Sequence, residues 1–317
     1  MEERLNLNLK IGSIGNDVRK LQERLKDLGF YNGRIDGIFG GATLSAVKAF
    51  QKHEGLKVDG IVGPETARKL FGDKVNAVFN LSITNYPLDY RCLCLTGSFE
   101  TGKIPPECFS ALSGNFDGQG ISFGALQWNF GQGSLQPLLK EMIKEYREVM
   151  EEIFHDKLSI IEEVLKNSRE EALEWADSIQ HPVKHYVYEP WKGMFRELGR
   201  TKEFQAIQLR FAEKIYDNAK RLTEEYELHS ERAVALMFDI IVQCGSIKKI
   251  TKEKILSDFN TSTTEAARLE TIALRISEQV KPRWQDDVKS RKLCIARGEG
   301  YVHGIWYNLF EQFGISL

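Results

Sequence analysis

Two carboxylates stand out in the 317-residue chain for the company they keep. Glu100 follows Ser98-Phe99, and Asp117 sits in NFDGQG. Both lie within residues 96–134, TGSFETGKIPPECFSALSGNFDGQGISFGALQWNFGQGS, where Gly recurs at 97, 102, 114, 118, 120, 124, 131 and 133. Such a Gly-rich, weakly periodic segment costs conformational entropy to order, and loops of this sort commonly carry function. The chemistry on offer is glycoside hydrolysis. That reaction needs one carboxylic acid to protonate the leaving oxygen and usually a second carboxylate across the scissile bond. A partly apolar helix end favours the protonated form of a carboxyl, whereas a wet, Gly-flanked turn favours the ionised one. Glu100 therefore reads as a candidate acid and Asp117 as a carboxylate that stays ionised. Spacing alone also admits a purely structural pair, Glu100 capping a helix and Asp117 closing an Asx turn.

Other side chains fit the same chemistry. Gln127, Trp128 and Asn129 combine amide hydrogen bonding with an aromatic face, which suits a sugar cleft, although Trp128 also suits a core. Gln243 and His303 are further candidates to line that cleft, with a structural role as the alternative. His181 and His185 are four apart, but Pro182 separates them and no HExxH occurs, so a zinc site is not expected. Cys92 and Cys94 have no second C-x-C partner pair. With no convincing GxSxG, Walker loop or GxGxxG, neither metal nor cofactor is expected.

The elements that must hold these residues are mostly helical. After residue 91, Leu138, Leu139, Met142, Ile143, Tyr146, Val149, Met150 and Ile153 form one apolar face over four turns. The pattern repeats around 158–178, 203–226, 230–243 and 264–280, and long strand signals are absent. Residues 73–90 carry few periodic signals and read as a linker region, with Pro87 marking a break.

The first 72 residues are organised differently. IDGIFGGAT (35–43) and VDGIVGPET (58–66) repeat at an offset of 23. In each copy Asp-Gly makes a tight turn and Thr43 or Thr66 falls near a helix N-terminus. Pro64 suits a first helical turn. Val18, Leu21, Leu25 and Leu28 have helical spacing, with Gly29 as the stop. Ala46, Val47 and Phe50 give a second helix and Leu70 ends a third. The prediction is a three-helix module joined by two similar turns.

Composition bounds the class. Hydrophobic residues make up 42% and charged residues 28%, enough for globular cores. The 45 acidic and 43 basic residues nearly cancel, which argues against a binder that neutralises many phosphates. Residues 1–72 carry 12 Lys or Arg against 9 Asp or Glu, a weak match to an anionic polymer. No run reaches the ~18–20 apolar residues of a membrane span. MEERLNLNLK lacks a basic region followed by an apolar one, so a secretory signal is not read there. Five cysteines, an odd number, suit a reducing cytosol.

Two resemblances add to this reading. GNDVRKLQERLKDLGFYNGRIDGIFGGATLSAVKAFQKHEGLKVDGIVGPETARKL resembles the peptidoglycan-binding domain of many cell-wall hydrolases, in its leucines, both DGxxG turns and the Phe50-Gln51 pair. SFE followed by NFDGQGISFGALQWN is similar to the lysozyme superfamily. Its Glu, gap and DGxG resemble bacterial chitosanases and related wall hydrolases. That likeness implies Glu100 as general acid, Asp117 as the base of an inverting reaction, and Ser122 holding the water. Inverting carboxylates stand roughly 6.5–9.5 Å apart. FGALQ (123–127) resembles lytic transglycosylases and goose-type lysozymes, which implies that Glu100 does most of the work. MFDIIVQCGSI (237–247) and GEGYVHGIWYNL (298–309) are similar to wall hydrolases more faintly.

Together the readings give a mainly α protein. A peptidoglycan-binding domain at 1–72 and a linker region at 73–90 precede an α-rich, lysozyme-like glycoside hydrolase domain at 91–317, with room for a small β-hairpin. The partner they imply is bacterial peptidoglycan, with neither nucleic acid nor membrane insertion. The absent signal and the cysteines then suggest storage in the cytosol and release through a holin, as for a phage endolysin. Lytic transglycosylation by Glu100 alone, chitosanase activity and a non-catalytic wall-binding role are the competing functions, with a zinc amidase disfavoured by the poor His pattern.

Overall fold

A computed structural model describes residues 9–13, 16–72, 81–260, 262 and 264–317. Residues 1–8, read above for a signal, and 73–80 of the linker region lie outside the described residues. The chain divides into two compact units, residues 1–91 with 222–317, and residues 92–221. It is mainly α-helical, as expected.

The N-terminal module holds α1 (Asn16–Asp27), α2 (Gly41–His53) and α3 (Pro64–Phe71). Their apolar stripes meet in one core of Val18, Leu21, Leu25, Val47, Phe50 and Leu70, joined by Phe39 and Val62 from the turns. Gly29 follows α1 in the left-handed region, and Pro64 opens α3. The sequence repeat has a structural cause. In the first copy the Gln22 amide nitrogen donates to Asp36 Oδ1 (2.9 Å), the Ile38 carbonyl (3.0 Å) and Thr43 Oγ1 (3.1 Å). Its oxygen accepts from the Gly37 N–H at 2.9 Å. In the second copy Gln51 does the same for Asp59 (2.9 Å), Ile61 (2.9 Å), Thr66 (3.2 Å) and the Gly60 N–H (2.8 Å). Each turn is thus satisfied by one buried glutamine on the preceding helix. Thr43 and Thr66 serve as acceptors for these amides, within the first turns of α2 and α3.

Truncating Gln51 removes those bonds and strands buried backbone groups. Gln51→Ala is expected to cost the module about 1–3 kcal/mol. An unchanged denaturation midpoint for the module's unfolding transition would refute this.

After the module come α4 (Leu81–Thr84) and α5 (Leu88–Thr101). Pro87 marks the break as expected, and its carbonyl accepts from the Arg91 N–H at 3.2 Å as α5 begins. Residues 92–99 of α5 are all buried, which explains why the helix shows little amphipathic periodicity.

Within residues 92–221, β1 (Leu112–Ser113), β2 (Ser122–Phe123) and β3 (Trp128–Asn129) form a small antiparallel sheet. The helices α6 (Leu135–Glu145), α7 (Arg147–Phe154), α8 (Leu158–Val164), α9 (Arg169–Ser178), α10 (Trp191–Arg200) and α11 (Lys202–Glu225) follow. Phe123, from the sheet, contacts Phe195 and Phe204, and Phe195 contacts Phe154, so the sheet is seated on the helical core. The single apolar face expected over 138–153 is carried by two helices. Tyr146 leaves helical geometry (φ −134°, ψ 48°), but its N–H bonds Met142 and its carbonyl accepts from Met150. The result is a kink that keeps the apolar face continuous. Ser168 and Glu171 form a reciprocal capping box at the start of α9.

Residues 222–317 contain α12 (Glu231–Cys244), α13 (Lys249–Phe259), α14 (Glu265–Glu278) and α15 (Pro282–Arg297). A hairpin of β4 (Glu299–Val302) and β5 (Ile305–Asn308) leads to α16 (Leu309–Phe313). Strand content therefore exceeds the one small hairpin expected. Every strand has four residues or fewer, too short for alternation to stand out in the sequence. No helix among the described residues is long and apolar enough to cross a membrane.

Candidate active site

Glu100 lies in the last turn of α5, half-buried, next to the buried Phe99. What brings that helix against the sheet segment is Gly97. A Cβ there would stand 2.9 Å from the Ala125 Cβ, so a side chain would force the helix off the β2–β3 turn. Residues three apart share a helix face, so Glu100 projects from the same side as this close approach.

Asp117 occupies the turn between β1 and β2 and is exposed. Its Oδ1 accepts from the Gln119 N–H at 3.1 Å, an Asx turn flanked by Gly118 and Gly120 in the left-handed region. The turn is pinned from two sides. The Asn115 side chain accepts from the Gly120 N–H (3.0 Å), and the Gln119 carbonyl accepts from the Gly131 N–H (2.9 Å). A carboxylate held this way stays in water at a defined place.

Ser122, Trp128 and Asn129 come together in the sheet, where Ser122 pairs with Asn129 and Phe123 with Trp128. Ser122 and Asn129 are buried. Trp128 is half-buried and packs on the helical core. Gln127 adopts a positive φ of 52° in the β2–β3 turn. Its oxygen accepts from Ser113 Oγ at 2.8 Å, and its nitrogen donates to the Gly124 carbonyl at 2.9 Å. The Asn129 oxygen accepts from the Gln132 N–H at 2.8 Å. These two amides hold the β2–β3 turn and the loop that follows β3.

The sequence reading overlooked Gln208. Fully buried on α11, it accepts from the Ala125 N–H (2.9 Å) and donates to the Phe109 carbonyl (3.0 Å). It ties the β2–β3 turn to the stretch preceding β1. A glutamine on the apolar face of an otherwise regular helix was the available signal.

Gln243 and His303 converge in the other unit, through Asp287. Gln243 Nε2 donates to Asp287 Oδ2 at 2.8 Å, and His303 Nε2 meets Asp287 Oδ1 at 2.5 Å. Gln243 Oε1 accepts from Lys292 Nζ at 2.7 Å. Lys292 in turn binds Asp239 Oδ2 (2.5 Å), and Arg291 binds the same carboxylate through Nε and Nη2. Asp239, Arg291 and Lys292 are all buried. Burial pushes the Asp239 carboxyl up, but the two cations and their hydrogen bonds outweigh it and hold it at about 2. This charge cluster was also overlooked. Its signal was Asp239 within the apolar run LMFDIIV, since a carboxylate inside such a run needs partners.

His181 does not pair with His185 as a ligand set. Its Nδ1 accepts from the Val183 and Lys184 N–H groups, both at 3.1 Å. Among the described residues no group of three or more His, Cys, Asp or Glu side chains is placed to hold a metal ion.

Comparison with known proteins bears on the module first. Residues 14–70 match the family model described as "Putative peptidoglycan binding domain". The N-terminal module is a peptidoglycan-binding domain. Over 59 residues it is 52% identical to a spore cortex-lytic enzyme of Halalkalibacterium halodurans, covering 19% of this chain and 18% of that protein. Over 57 residues it is 54% identical to the N-acetylmuramoyl-L-alanine amidase CwlM of Mycobacterium tuberculosis, covering 18% of this chain and 14% of that protein. The chain thus spans less than a fifth of the length of these two relatives. Among solved structures, a chitosanase complex aligns with 68% of this chain and 94% of its own, at 17% identity and a TM-score of 0.47. The SleB N-terminal domain aligns with 23% of this chain and 99% of its own, at 42% identity and a TM-score of 0.22.

Proposed function

We propose that the chain is a peptidoglycan hydrolase that cleaves the glycan strand by acid/base glycoside hydrolysis. The observation that carries the reading is one chain joining a peptidoglycan-binding domain to two carboxylates in unlike settings. One is half-buried at a helix end and the other is exposed in a pinned turn. In this reading Glu100 protonates the leaving oxygen and Asp117 activates the attacking water, as in an inverting muramidase. Ser122, paired with Asn129 across the same small sheet, helps hold that water. The module is shared with proteins named for cortex lysis and for amidase action, so it selects the polymer and leaves the bond to the rest of the chain. Tethering raises the local concentration of glycan, so modest module affinity suffices.

The test is mass spectrometry of fragments released from purified peptidoglycan by the native chain and by Asp117→Asn. The expected native products carry hydrolysed reducing ends, and Asp117→Asn is expected to lose about 10²–10⁴-fold in rate. Release of 1,6-anhydro ends by an active Asp117→Asn would make the reaction a lytic transglycosylation. Cleavage of soluble chitosan in preference to walls would make it a chitosanase, and no sugar release at all would leave a wall-binding protein.

A further inference from the structure

Beside the Asp117 turn stands a cluster of exposed aromatic side chains to which no role has so far been given. Phe116, the neighbour of Asp117, is 72% exposed, Tyr186 is 49% exposed and Val183 is 77% exposed. Leaving so much aromatic surface in water brings a fold no stability, and grouped aromatics of this kind mark binding sites. The rings form two groups, which meet along the chain where His185 precedes Tyr186. Phe116 meets His185 edge-on at 5.2 Å, His181 meets Tyr186 at 5.0 Å, and Tyr186 meets Tyr188 at 5.6 Å.

Local geometry explains why they face outward. Gln180 and Val187 form an antiparallel bridge, so residues 186–188 are extended and alternate in direction. Val187 points into the core, while Tyr186 and Tyr188 share the outer side. This loop is clamped to the Asp117 turn. A Cβ on Gly114 would stand 1.7 Å from the His185 carbonyl oxygen, so the two segments touch backbone to backbone. Gln180 Oε1 accepts from the Asn115 N–H at 2.7 Å, and Asp177 Oδ1 accepts from the Asn115 side chain at 2.8 Å. The aromatic shelf and the Asp117 turn are therefore held together by backbone contact and hydrogen bonds.

We infer that this shelf is a sugar-binding subsite, which takes a pyranose ring of the wall glycan next to the one presented to Asp117. The inference deepens the function proposed above and rests on it for the identity of the glycan. The chemistry favours sugar over an aliphatic protein surface. Aromatic faces offer the flat apolar contact that a pyranose C–H face needs, while imidazole and phenol edges offer hydrogen bonds to its hydroxyl and acetamido groups. The shelf is also continuous with the turn bearing the proposed base.

The test uses the full chain with Glu100→Gln, so that ligand survives, isotopically labelled at valine methyls and histidine rings. Peptide-free oligosaccharides of alternating N-acetylglucosamine and N-acetylmuramic acid are the probe, with free stem peptide as comparison. Saturable shifts of the Val183 methyl and the His185 ring are expected with the glycan. Because these signals are local, binding at the N-terminal module does not mimic them. Phe116→Ala and Tyr186→Ala are each expected to weaken the affinity read at Val183 by about two- to tenfold. Unmoved Val183 and His185 signals would overturn the subsite, as would shifts with stem peptide alone or an affinity indifferent to both substitutions. Reducing-end release by the native chain from the same oligosaccharides is measured in parallel. Its absence, with the shifts intact, would count against the hydrolase and not against the subsite.

Discussion

Glu100→Gln is expected to remove about 10²–10⁴-fold of the rate of reducing-end release from purified walls, the usual contribution of a positioned general acid. The substitution keeps shape and hydrogen-bonding capacity but cannot supply a proton from a carboxyl group. α5 should tolerate it, because residues 92–99 are buried and hold the helix independently of this side chain. Wall binding should survive, since the peptidoglycan-binding domain has its own core and its own glutamine-anchored turns. The two readouts are a sedimentation assay with insoluble wall and a reducing-sugar assay on the same preparation. Undiminished sugar release would remove Glu100 from the mechanism. Loss of binding together with activity would mean that the change acts on folding.

The second large effect is on stability. Asp239→Asn should cost about 3–5 kcal/mol, because it takes the carboxylate away from two buried cations, Arg291 and Lys292. Acid should reproduce part of this loss. The Asp239 carboxyl is held at about 2, against an ordinary value of 3.8. Its charge therefore contributes fully above pH 4, and the contribution of about 2–3 kcal/mol fades as pH falls from about 4 to about 2. Urea denaturation of native chain and Asp239→Asn at several pH values checks both statements. The gap between the two proteins should narrow in acid. A constant gap, or one below about 1 kcal/mol at neutral pH, would mean that the cluster is not held by this carboxylate.

Much of the scaffold was legible because it rests on local rules. The leucine spacing of α1, the Asp-Gly turns, Pro64 at the start of α3 and the boundaries of α11, α12 and α14 follow from periodicity and capping alone. The Asx turn at Asp117 and the helix end at Glu100 were legible for the same reason. Less visible were elements whose cause lies elsewhere in the chain. The buried part of α5 carries no amphipathic stripe because it is surrounded. The three-stranded sheet has two-residue strands that only their pairing defines. Gln127 and Asn129 have the composition of a sugar-binding pair. Their amides are engaged with Ser113, Gly124 and Gln132, partners that the sequence does not announce.

The sequence by itself determined the helical class, the repeat-built module and the two carboxylates that carry the proposed chemistry. All of these depend on residues within a few positions of one another, where backbone geometry and side-chain preference act directly. Tertiary structure alone decided that Gly97 lets α5 meet Ala125, that Gln208 locks the β2–β3 turn, and that Asp239 meets both Arg291 and Lys292. It also decided that Phe116 and Tyr186 stand on one shelf. Each of these joins segments tens of residues apart, by contacts that exist only once the chain has closed on itself.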